Sequence, residues 1–296
     1  MTRPPVSSQA RTTETQKNIV GKAMKKVLNS HGHPFQESVA SAIKRLNTRS
    51  SWFPLALEFP VQVQGQGTRI DIVLTNLART VHLVCECKRA NPALANWCFA
   101  RSSNGPESAM SDYARLDVLS RDPQNQIRAS WRELTQAKEP YEFAIEVRTT
   151  LQEEDTGKGR GQIEEAATQV CRGLNGLINS FASRGLPRPG EGDLFFLPVI
   201  ITTTNLWITE TEINSASLKT GEIQDDLFPN ATSWLWYDYP QSPGIMHSVR
   251  HTTIEHDLSK LLYSQFVRTL AIVTPEGLSD FLSASMWSNV APPQLT

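Results

Sequence analysis

The sequence has no long hydrophobic run and few cysteines. Hydrophobic residues make up 39% of its 296 positions, and no window approaches the roughly 18 consecutive apolar residues of a membrane-spanning helix. The four cysteines are too few and too unevenly spaced for a disulfide framework. The N-terminal stretch MTRPPVSSQARTTETQ also lacks the apolar core of a secretory signal peptide. We therefore expect a cytoplasmic protein with reduced thiols and no membrane contact.

An excess of positive charge is also missing. The 29 Lys and Arg residues against 30 Asp and Glu give a formal net charge of −1, which excludes a histone-like protein held to nucleic acid by bulk charge. A local basic groove stays compatible with this balance. No Gly-x-x-x-x-Gly-Lys-Ser/Thr motif occurs, so any ATP dependence must come from another chain. We keep two partner hypotheses, a homodimer and an ATPase or helicase subunit.

The hydrophobic pattern predicts helices that alternate with short strands. The predicted elements up to residue 203 are two helices broken at residues 31–34, a three-strand meander at about 56–64, 68–74 and 81–88, a helix at 162–183 and a strand at 195–203. Further strands are predicted in YEFAIEVRTT and SWLWYDY. Residues 257–286 are predicted to hold a helix, a short strand and a final helix. The pattern indicates an α/β protein.

Composition divides the chain into three regions. Residues 1–16, rich in Pro, Ser, Thr and Gln, are predicted to form a disordered arm. Residues 17–205 carry the main helices and strands, interrupted at about 89–159 by a segment that mixes turn signals with short apolar pieces. We interpret that segment as an insertion. Residues 206–296 are predicted to form an α/β extension packed on the core.

The strand VHLVCECK ends with a carboxylate and an ammonium two residues apart. Side chains alternate along a strand, so Glu86 and Lys88 should share a face with Val84, while Cys85 and Cys87 take the other face. The attachment points of the two charged groups then lie roughly 6.6 Å apart, at about 3.3 Å per residue. Both groups are close enough to act on one bound anion.

A second carboxylate is predicted to join them. In RIDIVL, Asp71 should face opposite to Ile70 and Ile72, so that the isoleucines enter the core and the Asp71 carboxylate lies beside Glu86. Two such acids repel unless a cation neutralises them or one takes up a proton. Mg²⁺ or Mn²⁺ suits all-oxygen ligation, and the Cys87 carbonyl could add a third oxygen. A metal held beside a lysine is equipped for phosphodiester hydrolysis.

Asp71, followed after fourteen positions by Glu86-Cys87-Lys88 at the end of an apolar strand, resembles the motif of the PD-(D/E)xK nuclease superfamily. The order helix, three-strand meander, helix, strand is also similar to that family over about residues 34–205. The resemblance implies a restriction-endonuclease-like fold, with a mixed central sheet flanked by helices. It further implies a metal-dependent endonuclease acting on DNA, in restriction or antiphage defence, with RNA not excluded. Ile70 stands where the name pattern has proline, a frequent departure in the family.

The same resemblance implies further site residues. An acid on the first helix often joins the metal site, and Glu37 stands in the matching helix. A glutamine on the second helix is common, which makes Gln162 and Gln169 candidates for the catalytic site. The alternatives are a solvated helix position for Glu37 and a role at the helix start for Gln162.

Arginines and an aromatic residue near the motif are candidates for nucleic-acid contact. Arg69 and Arg89 flank the acids, and Trp97 and Arg101 in NWCFAR could form a stacking and phosphate-binding surface. The alternative for NWCFAR is a small satellite core. A zinc site is not favoured, because Cys-x-Cys lacks the Cys-x-x-Cys spacing and no second pair follows.

Three broader alternatives stay open. The acids and the lysine could form an ordinary surface ion-pair ladder on two neighbouring strands. The chain could also be a nuclease fold that binds nucleic acid without cutting it, or an accessory subunit of a larger defence complex. The apolar character of the strand that ends at Lys88 argues against the first alternative, and the presence of all three charged residues argues against the second.

Overall fold

Two consecutive helices precede a long three-strand meander, and strands from later in the chain join the same sheet. The structure is a computed structural model that describes residues 8–30, 32–50, 52–90, 94–101, 114–134, 139–147, 161–211, 216–223, 226–241, 266–284 and 287. The helices are α1 (Ser8–Ser30), α2 (His33–Ser50), α3 (Gln162–Ser183) and α4 (Leu278–Ser283). The strands are β1 (Trp52–Val63), β2 (Gln66–Asn76), β3 (Val81–Lys88), β4 (Asn96–Ala100), β5 (Arg115–Arg121), β6 (Ile127–Glu133), β7 (Phe143–Val147), β8 (Leu194–Thr202), β9 (Asn205–Thr209), β10 (Asn230–Thr232), β11 (Trp234–Pro240) and β12 (Val267–Val273).

Eight of the described strands form a mixed central sheet flanked by helices. Its main order is β1-β2-β3-β8-β12-β11, and β5 and β6 are attached beside β8. The meander β1 to β3 is antiparallel, whereas β3 and β8 run parallel over the full length of β3. Parallel neighbours need a crossover connection, and α3 lies on that connection. None of the described helices is both long enough and apolar enough to cross a membrane.

Each face of the central sheet buries its own core. On one face, Val39 and Ile43 of α2 pack with residues of β2, β3 and β8. On the other, α3 packs its apolar side, including Val170 and Leu174. A fully buried aliphatic side chain such as Ile43 contributes about 1.5–3 kcal/mol. Close approach of α3 to the sheet requires Gly176, because a Cβ there would lie 2.6 Å from Val61.

A smaller sheet of order β10-β9-β4-β7 packs against the α3-side core. Its inner face carries Trp97 and Phe99, which are both buried. Its outer face exposes Phe143, Ile145 and Val147 on β7. The strand predicted in YEFAIEVRTT is therefore present, and NWCFAR belongs to a core.

Most of the predicted elements are present with shifted ends. Strand β3 has its predicted bounds, whereas β1 and β2 begin before their predicted starts. Helix α1 ends at Ser30 and α2 begins at His33. The strand in SWLWYDY, the strand before residue 274 and the final helix are confirmed as β11, β12 and α4. The helix predicted to begin near residue 257 falls largely outside the described residues.

The first of the predicted regions needs correction. Helix α1 begins at Ser8, so residues 8–16 do not form the expected disordered arm, and Ala10, Arg11 and Glu14 are good helix formers. Strand β5 of the predicted insertion pairs with β8, and β11 and β12 of the predicted extension complete the central sheet, so these two regions stay a prediction. The mostly apolar runs of β11 and β12 are typical of strands that are buried on both faces.

A buried ionic network lies where β5 and β12 both meet β8. Arg268 forms an ion pair with Asp117, and Arg115 forms another with Asp238 at 3.3 Å. Thr269 donates a 2.6 Å hydrogen bond to Asp238. The four charged side chains are 9% exposed or less. The network therefore consists of charged side chains that have almost no contact with solvent.

His82 makes the stability of the fold sensitive to acid. Its ring packs against those of Phe181 and Phe196, with centroids 5.1 and 5.3 Å away, and burial lowers its pKa from 6.5 to about 4. The unfolded chain therefore takes up this proton first as the pH falls. From about pH 7.5 to pH 5, we expect His82 to remove roughly 2 kcal/mol from the free energy of unfolding.

Urea unfolding of the parent and of His82→Phe at several pH values measures this contribution. The variant should lose less stability on acidification than the parent. Equal acid sensitivity in His82→Phe and the parent would contradict the prediction.

Candidate active site

The candidate site lies in a gap where the β2–β3 pair ends. Ladder pairing stops at Ile72 and Cys85, and one residue further the Asp71 Oδ2 atom accepts a 2.7 Å hydrogen bond from the Cys87 backbone N–H. The N–H and C=O of one strand residue project to the same side, so the Cys87 carbonyl also points into this gap. A Cβ on Gly32 would lie 3.9 Å from that carbonyl oxygen. The turn between α1 and α2 therefore borders the site.

Asp71 occupies an irregular point of β2. Ile70 packs in the α3-side core and Ile72 in the α2-side core, although strict alternation would place both on one face. The prediction that they share a face is therefore wrong, while the burial expected of both is confirmed. Opposite Asp71 in β1, Glu58 has a left-handed backbone with φ of 49°. The local distortion of the β1–β2 pair explains the change of face.

Helix α2 contributes Gln36 to the site. The Gln36 side chain is buried, and its Nε2 donates a 2.9 Å hydrogen bond to the Asp71 carbonyl. Gln36, Ala40 and Ile43 follow the helical spacing that faces the sheet. Glu37 falls outside that row and is exposed to solvent. Its position gives no support to the metal-ligand role predicted for it.

Burial and repulsion perturb both site carboxyls. Burial raises the pKa of Glu86 well above its usual value, and the charge of Asp71 adds to the shift. Burial also raises the pKa of Asp71, partly opposed by the Cys87 N–H, with the nearby Glu58 adding to the rise. Lys88 lowers the pKa of both acids. Carboxyls in this situation favour the uptake of a proton or a cation.

Lys88 reaches across to the first turns of α3. Its Nζ lies 2.9 Å from Glu165 Oε2, and its side chain is 19% exposed. Val84 packs in the α3-side core, whereas Cys85 and Cys87 pack in the α2-side core. The strand faces predicted for VHLVCECK are therefore confirmed. Sequence reasoning missed Glu165, although it lies on the same helix face as the two glutamine candidates.

The two glutamine candidates lie on α3, the helix that also carries Glu165. Gln162 begins α3, and its amide nitrogen donates a 3.4 Å hydrogen bond to Glu146. Glu146 also accepts a 2.9 Å hydrogen bond from the Ile163 N–H, which satisfies a free donor of the helix start. Gln169 is exposed, one turn after Glu165. The catalytic role predicted for the glutamines stays a prediction.

Two of the arginine candidates are open to solvent near the site. The Arg69 side chain is 70% exposed, with Nη1 3.7 Å from Glu58 Oε2. Arg89 follows β3 directly and is exposed. Both positions are compatible with phosphate contact.

The structure buries the aromatic residue of the predicted NWCFAR surface. Trp97 is completely buried in the α3-side core, so the prediction that it stacks on bases is wrong. Its position on the inner face of β4 places the large apolar ring in that core. Arg101 forms an ion pair with Glu139 and lies 5.1 Å above the Tyr141 ring. Its guanidinium is therefore already engaged by the protein.

The donor set fits a hard cation. Asp71 and Glu86 offer carboxylate oxygens and Cys87 a carbonyl oxygen, while the Cys87 thiol lies in the opposite core. Among the described residues, no three His, Cys, Asp or Glu side chains are arranged as a metal cage. Mg²⁺ retains several waters and needs few protein ligands, so two carboxylates and a carbonyl suit it. The raised pKa values of Asp71 and Glu86 show that their negative charges are disfavoured, and a bound cation would neutralise those charges.

Glu165 should act as a positioning residue for Lys88. For the phosphodiester hydrolysis that the sequence predicts, we expect Glu165→Ala to lower the rate at saturating substrate by about ten- to a hundredfold, as loss of an outer partner typically does. Asp280→Ala, which removes an exposed carboxylate from α4, is the control and should stay near the parent rate. Equal rates for Glu165→Ala and the parent would show that Lys88 needs no support.

No protein-family model, curated protein or solved structure matches this chain. The likeness to the nuclease superfamily therefore rests on Asp71, Glu86 and Lys88 and on the order of the elements around them.

Proposed function

We propose that the protein is a Mg²⁺-dependent nuclease that hydrolyses phosphodiester bonds in DNA. The observation that carries the proposal is that Asp71, Glu86 and Lys88 lie where the β2–β3 pair ends, close enough for their charges to act on one another. The bond between Asp71 and the Cys87 N–H joins the two strands at this point. The Lys88 charge also acts on both carboxyls.

The roles of these groups follow from their charges. Asp71, Glu86 and the Cys87 carbonyl would hold the cation. When bound, Mg²⁺ supplies Lewis-acid polarisation of a phosphoryl oxygen. Lys88 orients the attacking water and offers positive charge to the oxygens on which negative charge develops. Glu165 fixes the position of the Lys88 ammonium.

The arrangement of the elements supports a restriction-endonuclease-like core. Helix α2, the meander β1 to β3, helix α3 and strand β8 follow in the family's order, with β8 parallel to β3. The two helices lie on opposite faces of the sheet, each against its own core. A role in restriction or antiphage defence extends the same likeness.

One observation favours a second candidate, a nuclease fold that binds nucleic acid without cutting. The Lys88 ammonium is held 2.9 Å from Glu165, and a lysine neutralised in this way contributes less positive charge to the site. Such a module would serve as an accessory subunit, for example beside an ATPase or helicase. The mass of the natively purified complex separates a homodimer from such a larger assembly.

The test is incubation of the pure protein with linear, circular and single-stranded DNA and with RNA, in Mg²⁺, Mn²⁺ or EDTA. We expect cleavage of DNA in Mg²⁺ or Mn²⁺, no cleavage in EDTA, and indifference to a zinc-selective chelator. Lys88→Ala should bind DNA and fail to cut it. Binding by the parent without cleavage in either metal would favour the second candidate. Tightly bound zinc lost together with activity would contradict the magnesium assignment.

A further inference from the structure

A cavity of about 730 Å³ lies between the β1–β2 hairpin and the last turns of α3. This volume falls within the range of about 300–1,000 Å³ that is typical of ligand-binding sites. Two glycines, Gly67 and Gly176, contribute to its wall. The hydrogen-bonding side chains that line it are those of Gln62, Thr68, Arg69, Asn179, Ser180 and Ser183. We call this feature the hairpin cavity.

The hairpin cavity is linked to the candidate active site through Arg69. Arg69 lines the cavity, and its guanidinium lies 3.7 Å from Glu58. The Glu58 charge in turn raises the pKa of both Asp71 and Glu86. A nucleic-acid strand that extends from Asp71 and Glu86 would therefore contact Arg69 first and the hairpin cavity next.

The lining favours a nucleobase over a phosphate. Arg69 is the one charged residue among the described lining residues, and the others are amides, hydroxyls, glycines and short apolar groups. Amides and hydroxyls both donate and accept hydrogen bonds, as base edges require. The C-terminal end of α3 carries a partial negative charge that disfavours a phosphate in the cavity. Arg69, at the side of the acids, is the group suited to a phosphate.

We propose that the hairpin cavity takes an unpaired nucleobase of the strand that is cut, with Arg69 on the adjoining phosphate. This rests on the proposed nuclease function and narrows its substrate to single-stranded or locally unpaired nucleic acid. In an intact duplex the base edges are paired and stacked, so no base can enter a cavity of this kind. The protein should therefore prefer a single strand to a duplex.

The test uses variants that place a bulky side chain in the cavity, one from the β1–β2 hairpin and one from α3. A Cβ at Gly67 meets open space within 4 Å, so Gly67→Phe adds bulk without a clash at its first atom. Ser183→Trp adds bulk from α3 at an exposed position. The matched controls are Gln66→Phe and Arg184→Trp, which change exposed neighbours outside the lining. Thermal melting establishes that each variant is folded.

Binding is measured by fluorescence anisotropy in EDTA, so that no cutting is needed. The probes are a labelled DNA strand of about twelve nucleotides, the matching RNA strand and the corresponding duplex. We expect Gly67→Phe and Ser183→Trp to weaken single-strand binding about tenfold, as loss of one base contact does. Duplex binding and both controls should stay near the parent value.

The outcomes separate the two proposals. Single-strand binding that the cavity variants weaken, in a protein that cuts nothing in Mg²⁺, supports the cavity and contradicts the nuclease. Cleavage by the parent together with unchanged binding in both cavity variants contradicts the cavity and leaves the nuclease standing. A parent that binds no single strand, or controls that lose as much affinity as the cavity variants, also overturns the inference. If one cavity variant fails to fold, the variant on the opposite wall decides.

Discussion

Glu86→Gln is expected to slow metal-dependent DNA cleavage by about a thousandfold or more, because the cation loses one of its two carboxylates. A factor of that size corresponds to about 4 kcal/mol of transition-state stabilisation, within what metal catalysis contributes. The amide keeps the shape of the side chain, so the loss reports on charge. The rate is measured at saturating Mg²⁺ and DNA.

The same substitution should leave the fold intact or stabilise it slightly. Burial and the Asp71 charge both act against an ionised Glu86, and glutamine removes that repulsion. Metal-free affinity for nucleic acid should hold or rise, because the phosphates then meet one carboxylate fewer.

Glu37→Gln is the matched control, since it makes the same chemical change at an exposed position of α2. It should cut at the parent rate, and a large loss there would restore the ligand role first predicted for Glu37. A folded Glu86→Gln protein that cuts like the parent would refute the proposed active site.

Asp117→Asn is expected to lower the free energy of unfolding by about 3–5 kcal/mol, because it leaves the buried Arg268 charge without its ion-pair partner. Both side chains are less than 10% exposed, so water cannot replace the lost partner. The second arginine of the network adds repulsion, since Arg115 already acts against the Arg268 charge. The loss is a large part of the 5–15 kcal/mol that stabilises a typical domain.

Asp193→Asn provides the comparison at the surface. Its partner Arg132 lies 3.3 Å away, but the two side chains are 37% and 56% exposed, and such pairs contribute less than about 1 kcal/mol. Urea unfolding of both variants at one pH gives the difference directly. A loss below about 1 kcal/mol in Asp117→Asn would mean that the network contributes little to stability.

The residue pattern within a single strand or helix predicted which side chains share a face. The alternation in VHLVCECK predicted that Glu86 and Lys88 share the face of Val84 and that the cysteines take the other face, as observed. The helical spacing of Val39 and Ile43 would also have selected Gln36 instead of Glu37. Glu37 was chosen by residue type from the family resemblance. Helix geometry was the better guide.

Features that depend on distant partners could not be predicted. The change of face between Ile70 and Ile72 depends on the distortion at Glu58 in the neighbouring strand. The pairing of β5 with β8 joins residues far apart in the sequence, and nothing in NWCFAR shows that Trp97 is buried in the α3-side core. The ion pair between Glu165 and Lys88 depends on the packing of α3 beside β3, which the local sequence does not specify.

The distribution of the cysteines gives the chain one attachment point for a spectroscopic label. All four thiols are free, and Cys85, Cys87 and Cys171 are buried, whereas Cys98 is partly exposed on β4. Alkylating reagents attack the thiolate, and burial raises the pKa of every one of these thiols. Mildly alkaline labelling of the native protein therefore selects Cys98. The label would lie on the smaller sheet, away from the gap between β2 and β3.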